Sequence, residues 1–494
     1  MYPARSAASP TLAGSALYAA VWRWHFYAAL FVVPFAVVLA ITGGIYLFKP
    51  QIESWLYAGL YNVAPATQSI GADDQVQLAL SQFAGSRAEA YTPPAAPTKS
   101  ALVRAVTRDH REITVAVDPH RGTILGTIDE QWCPMQVVRD LHGTLLAGTA
   151  GQVLQELAAS WAMVLLVTGL FLWWPRQARA IWGTILPRLS LRGRPLWRDL
   201  HAVTGFWVSG LLVFLVATGL PWTLVSGKIF SEVAGVVGAG NPATGLGWDK
   251  GGSTTLKSDP PDQGWATSHA EHLAGVAHSV PSHGAVRLPL AKVVEMASAM
   301  PGIAPPFEIR FPVDDRGVFS IVTDSERDPE GTAYVHLDQY TGQVIADVRW
   351  KDFGPVARGI ALGVSLHEGL YFGLVNQLIG LVACLGLVGM ATAGTVMWWR
   401  RRPAGQLGAP SAPIGYRAGP AIIGMTIVLG ILMPLMAASL VLVLILDWVV
   451  RHRTPPRFAA MSLVIVFFTG MRSRKTLPAR KLARRQTCRW VRSW

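Results

Sequence analysis

The stretch Arg198-Asp-Leu-His201-Ala-Val-Thr-Gly205-Phe-Trp-Val-Ser-Gly-Leu-Leu-Val-Phe-Leu-Val-Ala-Thr218-Gly219 decides the fold. A histidine opens a run from Ala202 to Leu224 that carries no charged residue. Crossing a bilayer core takes about 20 helical residues, so this run is long enough to span. Similar runs lie at Ala28 to Phe48, Val153 to Trp174, Leu374 to Trp399 and Pro420 to Val450. The composition agrees. Apolar residues are 51% of the 494 and charged residues only 15%, against roughly 25% charged in an average soluble chain. The first run is too long for a cleaved leader, and Lys49-Pro50 follows it where small residues would mark cleavage, so it reads as a retained helix.

The quoted stretch is also half of a repeat. His201 lies 17 residues before Thr218-Gly219, and His25 lies 17 before Thr42-Gly43. His142 lies 31 residues before Trp173-Trp174, and His367 lies 31 before Trp398-Trp399. Thr168-Gly169 aligns with Ala393-Gly394 on the same offset. The order is helix, hydrophilic stretch, helix, and then the same again, which makes a parallel two-fold repeat. The expected fold is a membrane α-helical bundle of four spans with one or two extra C-terminal membrane segments.

Charge orients it. The loop from Pro175 to Leu200 carries Arg176, Arg179, Arg188, Arg192, Arg194 and Arg198 against the single acid Asp199, and Arg400-Arg401-Arg402 follows the fourth span. Basic loops stay in the cytoplasm. The N-terminus is then inside and both long hydrophilic stretches outside, in the periplasm if the cell is a bacterium. Residues 50–150 hold seven Lys/Arg against ten Asp/Glu, and residues 225–366 hold eleven against sixteen. The net charge of +13 is therefore not a nucleic-acid footprint: residues 451–494 alone hold twelve basic residues and no acid. Three scattered cysteines make neither a disulfide framework nor a CxxC knuckle.

The outside stretches match each other too. Arg111 to Gly126 and Tyr334 to Ala346 each alternate apolar and polar, turn, and alternate again, with Asp118 and Asp338 four residues before Gly122 and Gly342. That pattern predicts hairpins. Helical patterns near Asp73–Phe83 and Leu290–Met300 precede them, so each stretch reads as a small α+β unit. Gly238 to Gly264, rich in Gly, Pro, Ser and Thr, reads as a loop.

Four histidines carry the chemistry. His25 and His201 begin spans that start inside; His142 and His367 precede spans that start outside. One pair therefore lies near each face of the bundle. Two imidazoles on facing helices can hold one haem iron from both sides, so two pairs suit two b-type haems stacked along the membrane normal. The absence of CxxCH excludes c-type attachment. Gly43, Gly169 and Gly219 would let helices open around a flat macrocycle. Arg23, Arg139 and Arg198 lie close enough to pair with propionates. The plain alternative is four interfacial polar residues; the repeated spacing, two per face, favours haem. The Trp-Trp-Arg ends are explained by an aromatic belt and a positive anchor, and the Thr-Gly pairs by close helix packing. A second cluster, His269, His272, His278 and His283 with Glu271, could bind a metal outside or be a solvated loop; its spacing fits no strict template.

These motifs resemble a known family. Trp22-Arg-Trp-His25-Phe-Tyr, Leu157-Ala-Ala-Ser-Trp161, Trp173-Trp-Pro-Arg176, the run from Arg198 to Trp207 and Ser365-Leu-His367-Glu-Gly look like the PepSY-associated transmembrane helix family over about residues 20–450. The two outside hairpins look like PepSY domains. Better-understood members are similar to bacterial inner-membrane ferric-siderophore reductases, which implies haem b on His25, His142, His201 and His367. It also implies an iron chelate or siderophore as acceptor. Electrons would enter at His25/His201 and leave at His142/His367. No GxGxxG nucleotide site is present, so the donor would be a cytoplasmic partner or a quinol. A rival reading is a non-enzymatic PepSY protein that binds or regulates a peptidase or chelate. A transporter fits less well, since few charges lie in the spans.

The resulting organisation is a cytoplasmic N-terminus and first span (1–49), a PepSY-like domain (50–140), two spans joined by the basic loop (141–225), a second PepSY-like domain (226–365) and a fourth span (366–402). A linker with a fifth apolar segment (403–457) follows, long enough to span with a kink at Pro434. The chain ends in a short apolar segment and basic tail (458–494), which could bind anionic lipid. The resemblance says nothing of the tail.

Overall fold

The chain's structure, a computed structural model, describes residues 11–175, 181–236, 279, 286–323, 327–410 and 418–453. Among the described residues, four helices are long and apolar enough to cross a membrane: α1 (Thr11–Tyr46), α6 (Gly148–Trp173), α7 (Arg194–Gly219) and α11 (Leu374–Arg401). At 1.5 Å per residue the shortest of these is about 39 Å long, against a hydrocarbon core of about 30 Å. Leu30, Ile41, Val382 and Leu385 stay exposed on their outer surfaces, as lipid contact requires. Helix α1 packs against α6 and α11, and α7 packs against the same two. The four thus close a ring with α1 and α7 on one diagonal. Small residues let them approach: Ala28, Ala36, Ala383 and Ala391 are buried between them.

The spacing suggests that His142 and His367 lead straight into spans, but the structure puts each on a separate short helix. His142 is on α5 (Pro134–Thr144), and His367 is the last residue of α10 (Pro355–His367). Both helices begin with a proline at their first position, where a missing N–H costs nothing. Both end in left-handed backbone: Leu145, Leu146 and Gly148 follow α5, and Gly369 and Gly373 follow α10. Helix α5 docks on α1 and α6, and α10 docks on α7.

Short helices α2 (Lys49–Leu56) and α3 (Ala58–Tyr61) connect α1 to the hydrophilic part. There α4 (Ala72–Ser81) precedes strands β1 (Arg87–Thr92), β2 (Ala101–Val106), β3 (Glu112–Asp118) and β4 (Thr123–Asp129). In the second half α8 (Leu224–Val236) and α9 (Leu290–Ala299) precede β5 (Phe307–Arg310), β6 (Val318–Thr323), β7 (Ala333–Asp338) and β8 (Val344–Arg349). The two α+β units share one eight-stranded antiparallel sheet, ordered β4-β3-β2-β1-β5-β6-β7-β8. The junction pairs Ala90 with Arg310 and Tyr91 with Ile309. Alternate residues of both halves, such as Val103, Val115, Ile321 and Val335, bury one common core with Val76, Ala79, Val293 and Ala297 of the helices. Asp73 of the first unit accepts from Leu290 N (2.8 Å) and Ala291 N (3.0 Å), capping α9 of the second. Both hairpin turns are built alike. Gly122 and Gly342 take positive φ, and Asp118 and Asp338 accept their N–H groups at 3.0 and 2.9 Å.

The apolar segment Pro420–Val450 is broken into α12 (Pro420–Leu432) and α13 (Pro434–Arg453). The break falls at Met433 because the residue before a proline avoids helical backbone. Met433 and Met436 are buried against Ala28, Val32, Ala36 and Trp161, and Trp161 donates from Nε1 to Ser439 Oγ at 3.1 Å. The segment 458–494 lies outside the described residues.

Candidate functional site: two levels of paired histidines

The bundle brings His25 and His201 together across its diagonal. Their ring centroids are 6.2 Å apart and the planes are nearly perpendicular, at 86°. His142 and His367 form the second level, near the end of the bundle that carries the sheet. His142 lies close enough to His367 for the two rings to interact electrostatically. Along α1 and α7 the levels are 17 residues apart, or about 25 Å.

Three of the four rings are seated in the same way. Nδ1 of His25 lies 2.9 Å from Thr168 Oγ1, that of His142 2.9 Å from Thr42 Oγ1, and that of His367 2.9 Å from Thr218 Oγ1. Each threonine hydroxyl donates to the carbonyl one turn back in its own helix: Thr42 to Val38 (2.7 Å), Thr168 to Val164 (2.6 Å) and Thr218 to Phe214 (2.9 Å). A hydroxyl has one proton, so its oxygen must accept from the imidazole Nδ1–H. At the fourth position Ala393 replaces threonine, and His201 Nδ1 donates directly to Met390 O at 2.9 Å. The glycine after each of these residues makes room for the ring. A Cβ would meet histidine Cε1 at 3.2 Å on Gly43, 3.3 Å on Gly169, 3.5 Å on Gly394 and 3.6 Å on Gly219. The sequence expectation that these glycines open the bundle is therefore sharpened: they carry the imidazoles themselves.

This chemistry fits a metal macrocycle. Each ring has its Nδ1 proton committed, which leaves Nε2 with the lone pair, the tautomer a metal needs. No described residue bonds Nε2, and each imidazole is only partly covered by protein atoms. Two metal–imidazole bonds of about 2.0 Å and two ring radii of about 1.2 Å give a centroid separation near 6.4 Å, close to that of His25 and His201. No group of three or more His, Cys, Asp or Glu side chains is placed to hold a bare ion among the described residues. A pair of axial imidazoles suits a group that brings its own equatorial ligands, as haem does.

The other predicted residues are placed as follows. Arg23 is buried, bonds Pro410 O, and lies 5.0 Å from the Tyr27 ring centroid. Arg198 contacts Asp199, which Arg188 grips with two bonds of 2.7 and 3.0 Å. Arg139 is exposed on α5. His269, His272, His278 and His283 lie outside the described residues. The tryptophan pairs do more than mark an interface. Trp173 donates to Thr184 O (2.9 Å) and Trp398 to Leu407 O (2.8 Å), so each pins the loop that follows it.

Sequence reasoning missed Glu156. It sits inside the second span with 0% exposure, and its carboxyl oxygens accept from Val225 N (2.9 Å), Ser226 N (2.8 Å) and Ser226 Oγ (2.7 Å). It holds the start of α8 to α6. An acid within an apolar run was the available signal. The threonines were visible as a spacing, but their bonds to the rings were not.

No curated protein matches the chain. Residues 22–401 match the PepSY-associated TM region, a span that contains all four histidines and both halves of the sheet. The chain is thus a multi-helix membrane protein that belongs to the PepSY-associated TM family.

Proposed function

We propose that this protein is a di-haem b oxidoreductase that carries electrons across a bacterial inner membrane to an acceptor on the sheet side. The observation that carries the proposal is the set of four imidazoles in two levels, each with Nδ1 committed and Nε2 free for a metal. His25 with His201 and His142 with His367 would hold the two haems. Bound there, haem would supply one-electron chemistry. The chain's own residues fix the rings and commit each Nδ1 proton. The basic loops support a topology with the bundle's other end in the cytoplasm and the sheet in the periplasm. The electron donor would be a quinol or a cytoplasmic reductase. The acceptor we favour is a ferric siderophore or another iron chelate, because reduction weakens iron's hold on hard oxygen ligands and frees it for uptake.

Absorbance of protein purified from haem-replete cells tests this. The expected result is a Soret band, a sharp reduced α-band and two haems per chain. His201→Ala should retain one haem. A colourless preparation would overturn the proposal and leave the sheet domain as a binding module for a peptidase or chelate.

A further inference from the structure

We infer that the loop between α6 and α7 dips into the bilayer leaflet at the basic end of the bundle, opposite the sheet, and seats there on anionic phospholipid. The inference stands independently of the di-haem reading. Along residues 181–189 the exposed large side chains are Ile181, Trp182, Ile185, Leu186 and Leu189, each at least 40% exposed. Two tryptophans of the spans fix the height of this segment. Trp173, the last residue of α6, donates to Thr184 O at 2.9 Å and stacks on Phe206 of α7 with ring centroids 4.2 Å apart. Trp207 donates from Nε1 to Ile185 O at 2.9 Å. Trp207 lies eight residues past Asp199, the last charged residue before the apolar run, which is about 12 Å along α7. The crest of the loop therefore lies beside the span, at the depth of acyl chains.

The backbone is built for that environment. Acyl chains offer no hydrogen bonds, so a non-helical segment at this depth must find partners for its carbonyls within the protein. Ile181 O accepts from Ile185 N (2.9 Å) and Leu186 N (3.1 Å), Leu186 O accepts from Gly183 N (2.6 Å), and the two indoles take Thr184 O and Ile185 O. Arg188 closes the base of the loop on Asp199, and Arg192 and Arg194 are exposed just beyond it. Apolar side chains at the crest and guanidinium groups at the base match the acyl layer and the phosphate headgroups of one leaflet. The other half of the chain supplies a contrast. After α11, Trp398 pins the following loop through Leu407 O, yet residues 403–410 expose no large apolar side chain.

Fluorescence quenching of the full-length protein in nanodiscs of phosphatidylethanolamine and phosphatidylglycerol tests this. A bimane label is placed on Trp182→Cys, on Ile185→Cys and, for comparison, on Gln406→Cys, and the parent labelled alongside corrects for Cys133, Cys384 and Cys488. The labels at 182 and 185 should lose most of their fluorescence to lipid brominated on its acyl chains and should resist iodide in the water. The label at 406 should do the reverse. Iodide quenching at 182 and 185 equal to that at 406, with no loss to brominated chains, would overturn the inference and leave the loop as a water-facing surface. Native mass spectrometry reads the headgroup contact. Phosphatidylglycerol should be retained over phosphatidylcholine, and Arg192→Gln combined with Arg194→Gln should lower that retention. Retention unchanged in this double variant would overturn the anionic-lipid assignment.

Discussion

The four seat glycines give a graded prediction. Replacing each by alanine adds one methyl group and changes nothing else. In a helix, alanine is better than glycine by about 0.5–1 kcal/mol, because glycine loses more backbone freedom on folding. Against that gain stands the space. On Gly43 the new Cβ would lie 3.2 Å from His142 Cε1 with Cys384 Sγ 3.9 Å away, so it is bracketed by two neighbours. On Gly169 it would lie 3.3 Å from His25 Cε1. At those distances the ring must shift by a few tenths of an ångström against its threonine bond, and overpacking of this kind costs about 1–3 kcal/mol. On Gly394 and Gly219 the distances are 3.5 and 3.6 Å, ordinary contact. Gly43→Ala and Gly169→Ala should therefore lose up to about 2 kcal/mol, whereas Gly394→Ala and Gly219→Ala should gain up to about 1 kcal/mol. Haem content per chain and the midpoint of thermal unfolding read the series in parallel, and the second readout does not need haem. Four variants that behave alike, or Gly219→Ala worse than Gly43→Ala, would refute the seat geometry.

Two further outcomes follow from burial. Glu156→Ala leaves the amides of Val225 and Ser226 without their acceptor, at a cost of about 2–4 kcal/mol; hydrogen exchange at the start of α8 should speed up markedly, and Glu156→Gln should fall between. Tyr91 is buried at the sheet junction and donates to Gln75 Oε1 at 2.8 Å, so Tyr91→Phe should cost about 1–2 kcal/mol and Tyr91→Ala about 3–5, measured by unfolding of the full chain.

The spans were legible because hydropathy and charge act over whole segments, as the run from Ala202 to Leu224 shows. The histidine levels were legible because a repeat fixes residues at equal heights. The hairpins at Asp118 and Asp338 were legible through turn chemistry that only glycine satisfies. The fused sheet was not. Strands β1 and β5 pair across 217 residues of sequence between Tyr91 and Ile309, and nothing local announces such a partner. The short helix α5 was hidden for a different reason. Leu145 and Leu146 break α5 from α6 in left-handed backbone that leucine rarely adopts, so the break begins before the glycine, Gly148, that could have marked it. Glu156 was lost inside an apolar run whose average outweighed it.

The two halves of the chain also explain how the site is assembled. Every seat lies within one half: His25 on Thr168, His142 on Thr42, His201 on Met390, His367 on Thr218. Every histidine pair crosses between the halves. Each half therefore orients its own rings, and only the packing of the halves brings ring to ring. A slip of one helical turn between α1 and α7, about 5.4 Å, would spoil both pairs at once. The bundle's small residues do little to prevent such sliding, but the sheet does. Its outermost strands lead directly into the helices that bear the sheet-end histidines: β4 ends at Asp129 and α5 starts at Pro134, while β8 ends at Arg349 and α10 starts at Pro355. Because β1 and β5 are in fixed register at the centre and Asp73 caps α9 across the halves, the two edges are held in a set relation. The sheet thereby acts as a clamp that fixes the facing of His142 and His367 from outside the membrane. Changes at the β1–β5 junction should consequently disturb the sheet-end histidine pair before the basic-end one.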